Sequence, residues 1–200
     1  MINHKHKYIF IHIPKCGGSS IEKVIRRGGG HESISNKKSS DFKINSQHAS
    51  LSEQIEFYNI NKNIFSFTFI RNPWSRFVSY FFHLKNIGFV KKKVSFNEFT
   101  MDLLLRNWDC EYIAPVHPPK NFMAPCAEWV SGVSFVGKLE NFQEDFNIIC
   151  DKIGIPSQKL PHENKGKHKH YTKYYDTGAR QLVAEKYAKD IEMFGYKFGS

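Results

Sequence analysis

Apolar residues along the chain fall into short runs separated by stripes at helical spacing. Tyr8–Ile13 (YIFIHI) is a continuous apolar run and reads as a buried strand. Pro14–Gly18 interrupts it, and Ser19–Arg27 then puts Ile21, Val24 and Ile25 on one helical side before Gly28-Gly29-Gly30 ends the pattern. Ile64–Ile70 (IFSFTFI) is a second strand, and Pro73 suits the first turn of a helix through Arg76, Val78 and Phe82. Val133–Gly137 is a third. Ser50 with Glu53, and Ser95 with Glu98, have capping-box spacing and predict two further helix starts. Asn141 and Glu144 are expected to cap a helix that turns Phe146, Ile149, Cys150 and Ile153 inward, and Thr177–Phe194 reads as one last helix. Residues 31–47, 85–95 and 154–175 read as polar or basic loops, and 107–130 as irregular. Strands alternating with helices predict an α/β protein with a parallel sheet.

Composition narrows this further. The 200 residues suit one domain with a real core, and 40% apolar content argues for a globular chain. The net charge of +10 is unevenly placed. Residues 1–100 carry 16 basic and 6 acidic side chains, while residues 101–200 carry 13 of each. The excess predicts a polyanionic partner for the first half: a nucleotide, nucleic acid or an acidic polymer. No apolar stretch approaches the roughly 20 residues that span a bilayer, and no signal-peptide pattern opens the chain, so a cytoplasmic protein is expected. Cys16, Cys110, Cys126 and Cys150 have no CxxC spacing and read as reduced thiols.

Two segments carry the chemistry. Pro14-Lys15-Cys16-Gly17-Gly18-Ser19-Ser20 lies between a strand and a helix, where glycines admit the backbone to an anion and a helix N-terminus offers N–H donors. Lys15 adds a full charge. A plain glycine-rich turn is the bland alternative, and the combination of elements favours anion binding. The order differs from a Walker A loop, because Lys15 precedes the glycines. The second predicted strand ends in Arg71 rather than in an acidic magnesium ligand, which disfavours magnesium-held nucleoside triphosphates. Arg71 stands where open parallel sheets hold ligands, and Ser79 follows eight residues on, about two helical turns later. Both can grip a phosphate, or Arg71 can pair with a structural carboxylate and Ser79 be merely small.

These segments resemble the PAPS-dependent sulfotransferases, and are most similar to the carbohydrate branch that includes heparan sulfate 2-O-sulfotransferase and small bacterial relatives. Residues 11–20 resemble that family's loop for the 5′-phosphosulfate, and Arg71–Tyr80 its 3′-phosphate motif. Phe135–Phe142 with Asp145-Phe146, and the final stretch from Asn164 to Tyr196, are also similar. Cys16 is a departure, since threonine is usual there; its N–H can serve but a hydroxyl contact is lost.

The resemblance implies a P-loop-like three-layer α/β fold, a central mostly parallel sheet flanked by helices. It implies a single domain over residues 1–200, with an acceptor-site insertion at approximately 85–130. It implies in-line transfer of a sulfuryl group from PAPS to a saccharide or glycan hydroxyl, without a metal. Lys15, Cys16, Gly17, Gly18, Ser19 and Ser20 would then hold the 5′ end, and Arg71 and Ser79 the 3′-phosphate. The basic, aromatic 160s loop is expected either to close over the nucleotide, with Lys167 as its contact, or to be a solvated surface loop. His48 stands where the family's catalytic histidine lies and becomes the expected base, Glu140 the second choice, and Lys15 the neutraliser of leaving-group charge. His12, inside the first strand, is expected to be packed. The competing readings are a P-loop-like kinase, which needs ATP and magnesium, a basic non-enzymatic nucleotide- or nucleic-acid-binding domain, and a related protein that has lost turnover.

Overall fold

The structure is a computed structural model, which describes residues 1–32, 48–105, 120–161 and 168–200. The described residues form a five-stranded sheet of order β3-β1-β2-β4-β5. Its strands are β1 (Ile2–Asn3), β2 (Tyr8–Ile11), β3 (His31–Glu32), β4 (Phe65–Ile70) and β5 (Phe135–Lys138). β2 pairs in parallel with β4, and β4 with β5; β1 pairs antiparallel with both β2 and β3. The sheet is thus mixed, with the predicted parallel core and an antiparallel edge. That edge was not foreseen, because two-residue strands leave no alternation to read.

The helices are α1 (Gly18–Ile25), α2 (Leu51–Tyr58), α3 (Pro73–Asn86), α4 (Phe96–Leu105), α5 (Phe142–Ile153), α6 (Thr177–Lys186) and α7 (Ala188–Phe194). Pro73 occupies the first turn of α3, where its missing N–H costs nothing. The capping box at α2 forms: Ser50 Oγ accepts from Glu53 N–H, while Glu53 accepts from Ser50 N–H at 2.6 Å. The same pair forms ahead of α4, between Ser95 and Glu98.

Two expectations are corrected. Asn141 makes no side-chain cap; a 3-10 turn (Leu139–Asn141) precedes α5, and Asp145 accepts from Lys138 N–H at 2.6 Å instead. The last helix is divided at Tyr187, which has φ −112° and ψ 28°. Its buried ring is held by a hydroxyl bond to the Met123 carbonyl, at 3.1 Å. Packing there overrides a helical sequence pattern.

The residues group into two compact units, Met1–Ile70 with Glu128–Asn164, and Arg71–Ala127 with Lys165–Ser200. In the first, Tyr8 and Phe10 of β2 and Phe67 and Phe69 of β4 are covered by Ile21 and Val24 of α1 and by Phe146 and Ile149 of α5. All four inward positions expected on α5 are buried. In the second, the core is aromatic: Phe77, Phe81, Phe96 and Phe99 pack at ring distances of 5.1–5.8 Å. Among the described residues Cys16, Cys126 and Cys150 are buried and none is in a disulfide. No described helix is long and apolar enough to cross a membrane.

Candidate active site

In the first unit the site is built where β2 stops. Thr68 Oγ1 donates to the Ile11 carbonyl at 2.7 Å, and the chain leaves the sheet at His12. Lys15 adopts φ +64° and Gly17 φ +84°. A lysine in the left-handed region is strained, by about 1–3 kcal/mol, and such strain survives only where the surroundings impose it. The Cys16 N–H donates to Ile13 O at 3.4 Å, which closes the turn. The Cys16 thiol is buried, so any ligand contact it makes is through the backbone.

Gly17 is the N-cap of α1 and supplies no side-chain cap, and the first turn carries no acid. By contrast α2, α3 and α6 are capped by Ser50, Asn72 and Asp176, and α5 has Glu144 and Asp145 in its first turn. The start of α1 therefore keeps its positive end uncompensated by its own side chains. Gly18 is required by space: a Cβ would lie 2.2 Å from the His12 ring. Ser19 is exposed on the first turn, whereas Ser20 is buried. Lys15 is half-buried.

His12 and His48 lie beside this loop. His12 is buried, and its Nδ1 lies 2.9 Å from Glu22 Oε1. Glu22 Oε2 also meets Arg26 at 3.4 Å. His48 is half-buried; its ring stands edge-on to His12, centroids 4.8 Å apart, and its Nδ1 lies 2.8 Å from the His12 carbonyl. A carbonyl only accepts, so Nδ1 of His48 carries the proton and Nε2 is the accepting nitrogen. The sequence reading had His12 as packing alone and missed its bond to Glu22. The ten-residue separation of the two gives no local spacing to find it by. Glu140, the second choice as base, is exposed in the 3-10 turn before α5.

In the second unit Arg71 precedes the N-cap of α3. Asn72 Oδ1 accepts from the Trp74 and Ser75 N–H groups, which fixes the helix start. Arg71 Nε donates to Ser75 Oγ at 3.0 Å, and Ser79 follows four residues later on the same helical face. Ser75 is a partner of Arg71 that the sequence reading passed over, although its four-residue spacing was visible. Further along the chain, Tyr175 Oη donates to the Trp74 carbonyl at 2.9 Å and Arg180 lies over the Phe198 ring at 4.4 Å. His168, which lies in the same unit, stacks on Phe82 at 4.9 Å. Lys167 lies outside the described residues. Among the described residues no group of three or more acidic, histidine or cysteine side chains could hold a metal ion.

A strand-to-helix glycine loop, a basic residue after the next parallel strand and an imidazole beside the loop occur here in one chain. The Sulfotransferase family profile matches residues 1–197. The chain belongs to the sulfotransferase family. Two solved sulfotransferases share its fold. One, from Alicyclobacillus acidocaldarius, has TM-score 0.57 and 13% identity, covering 93% of this chain and 92% of that one. The other, mouse sulfotransferase SULT7A1 solved in complex with PAP, has TM-score 0.56 and 14% identity, covering 95% and 85%. An uncharacterized protein of Archaeoglobus fulgidus is 33% identical over 92 residues, 46% of this chain and 69% of that protein. As a sulfotransferase, the chain is an enzyme of group transfer with a P-loop-like α/β fold.

Proposed function

We propose that this sulfotransferase uses PAPS as donor and a saccharide or glycan hydroxyl as acceptor. The observation that carries the donor assignment is the start of α1. It is a helix end without a side-chain cap or acid, preceded by a lysine and a glycine held at positive φ. Such an end accepts an anionic group, and the residues fit a phosphosulfate. Lys15, the Gly17 and Gly18 backbone and Ser19 would hold the 5′ end, with Cys16 and Ser20 helping to shape the loop. Arg71, Ser75 and Ser79 present guanidinium and hydroxyl donors suited to a 3′-phosphate. The PAP complex of the mouse relative supports the same donor.

The reaction is an in-line displacement at sulfur. The acceptor oxygen forms a bond to sulfur as the bond from sulfur to the phosphate oxygen breaks. The acceptor proton passes to His48 Nε2, and the electron pair remains on the departing phosphate, giving PAP. Negative charge grows on that bridging oxygen, where Lys15 and the loop amides would stabilise it. His48 suits the proton step because an ordinary imidazole titrates near neutral pH and its Nδ1 is committed to a carbonyl. The saccharide assignment rests on the likeness of residues 135–146 and 164–196 to the carbohydrate branch.

The deciding experiment compares thermal shifts with PAP, AMP and ATP in EDTA, since a ligand that binds the folded state raises its stability with concentration. PAP should shift the midpoint far more than AMP or ATP. A preference for ATP would replace this reading with the kinase. Radiolabelled PAPS supplied with a panel of glycans then tests the acceptor class; label in none of them, but in phenols or peptides, would overturn it.

A further inference from the structure

The His12–Glu22 pair has no part in donor binding as described above, yet it is buried beside the loop. His12 is 5% exposed and Glu22 8%. Burying a carboxylate is expensive unless it is bonded, and a purely apolar pair would fill this space at lower cost. The ring of His12 joins three parts of the site, besides its contact with Phe10. Its Nδ1 reaches Glu22 on α1; its Cδ2 and Nε2 edge abuts Gly18, where a Cβ would stand 2.2 Å and 2.3 Å away; and the His48 ring packs edge-on at 4.8 Å. The same residue's carbonyl accepts a hydrogen bond from the His48 Nδ1–H. One residue thus touches the first residue of the anion loop's helix and fixes both the orientation and the tautomer of His48.

We propose that His12, anchored by Glu22, is a positioning residue that keeps the His48 imidazole in register with the anion loop. This rests on the reading of His48 as base. Glu22 fixes the rotation of the His12 ring; the ring then limits His48 to the edge-on orientation in which Nδ1 meets the carbonyl and Nε2 is left as the acceptor. Arg26, on α1, meets the outer oxygen of Glu22 and holds the carboxylate from the other side. The effect on the reaction is geometric. An imidazole that swings by an ångström loses the acceptor proton, and misplacement on that scale costs up to about 100-fold in rate.

The test reads the tautomer of His48 directly, by nitrogen chemical shifts of the histidine side chains in the full chain, the His48 signals being assigned by their loss in His48→Ala. His12→Asn keeps an N–H donor for Glu22, so the carboxylate is not stranded, but removes the ring. His12→Phe with Glu22→Leu restores a ring without the ion pair. In the wild-type chain His48 should show a single Nδ1–H form. His12→Asn should average the two tautomers while the PAP dissociation constant changes less than threefold, and the double variant should recover part of the single form. A His48 signature untouched by His12→Asn overturns the proposal. So does a parallel loss of PAP binding, which would make His12 a support of the loop alone. The base assignment is tested separately: His48→Ala that still releases PAP from PAPS at the wild-type rate removes it whatever the spectra show.

Discussion

The residues proposed to bind an anion are specified differently in the two units. The loop of the first is specified by space and backbone conformation. Gly18 has no room for a methyl group, Lys15 and Gly17 sit at positive φ, and the helix start behind them has no side-chain cap. Arg71 in the second is specified by side chains on a regular scaffold: an Asn72 cap, a proline in the first turn, and Ser75 and Ser79 at four-residue spacing. The difference teaches where each is fragile. Added volume should break the first, whereas the second should tolerate changes of shape and fail on loss of charge.

The largest effect is expected at Lys15, where both means meet. Lys15→Ala should lower PAP release from PAPS by about 10²–10³-fold, the usual loss for removing one donor aimed at developing charge. Lys15→Gly should relieve the strain at φ +64° and yet be equally inactive, which separates charge from conformation. If Lys15→Gly retained most activity, the role given to the ammonium would be wrong.

Next in size is Arg71→Ala, expected to weaken PAP binding by roughly 1.5–3 kcal/mol, as for one charged hydrogen-bond partner. Calorimetric titration measures it. Turnover at saturating PAPS should stay within a few fold, since Arg71 is assigned to the 3′-phosphate and not to the reacting sulfur. Gly18→Ala should behave in the opposite sense. Its methyl would invade the His12 ring, so folding stability should fall by about 1–3 kcal/mol, and the PAP-induced thermal shift should shrink with it. A Gly18→Ala chain as stable as the wild type would mean that the loop is less tightly specified than the contact implies.

The sequence made the two units unequally legible. Tyr8–Ile11 and Phe65–Ile70 announce themselves as apolar runs, and Ser50, Pro73 and Ser95 mark helix starts by rules that depend on neighbours within a turn. The glycine turn between β2 and α1 was visible for the same reason, its residues being consecutive. What could not be read depends on distant contacts. The edge strands β1 and β3 are two residues each and exist only through pairing. The division at Tyr187 comes from a hydroxyl bond to Met123, 64 residues away. Nor does periodicity reveal that His12 is bound to Glu22, because one lies just past a strand and the other inside a helix. Asn141 misled for a different reason: its type and spacing suit a cap, but Asp145 had already turned to the Lys138 N–H.

The smallest effect concerns single polar groups in the aromatic core of the second unit, away from Arg71. Tyr80 and Tyr187 are both buried in its aromatic core. The Tyr187 hydroxyl donates to the Met123 carbonyl, whereas the Tyr80 hydroxyl has no hydrogen-bond partner among the described residues. Burial pushes the Tyr80 phenol far above its ordinary range, so it stays neutral at any pH the protein survives. Its ring, with Phe99 at 6.4 Å and Phe122 at 5.3 Å, contributes packing that phenylalanine would preserve. Tyr80→Phe should therefore leave the denaturation midpoint unchanged or raise stability by up to about 1 kcal/mol, because it removes a desolvated hydroxyl. Tyr187→Phe, the same chemical edit, should cost about 1 kcal/mol by removing the bond to the part-buried Met123 carbonyl. Urea titration of the pair measures the contrast. Equal losses would show that Tyr80 has a partner in solution, and that this core depends on polar contacts as closely as the loop depends on space.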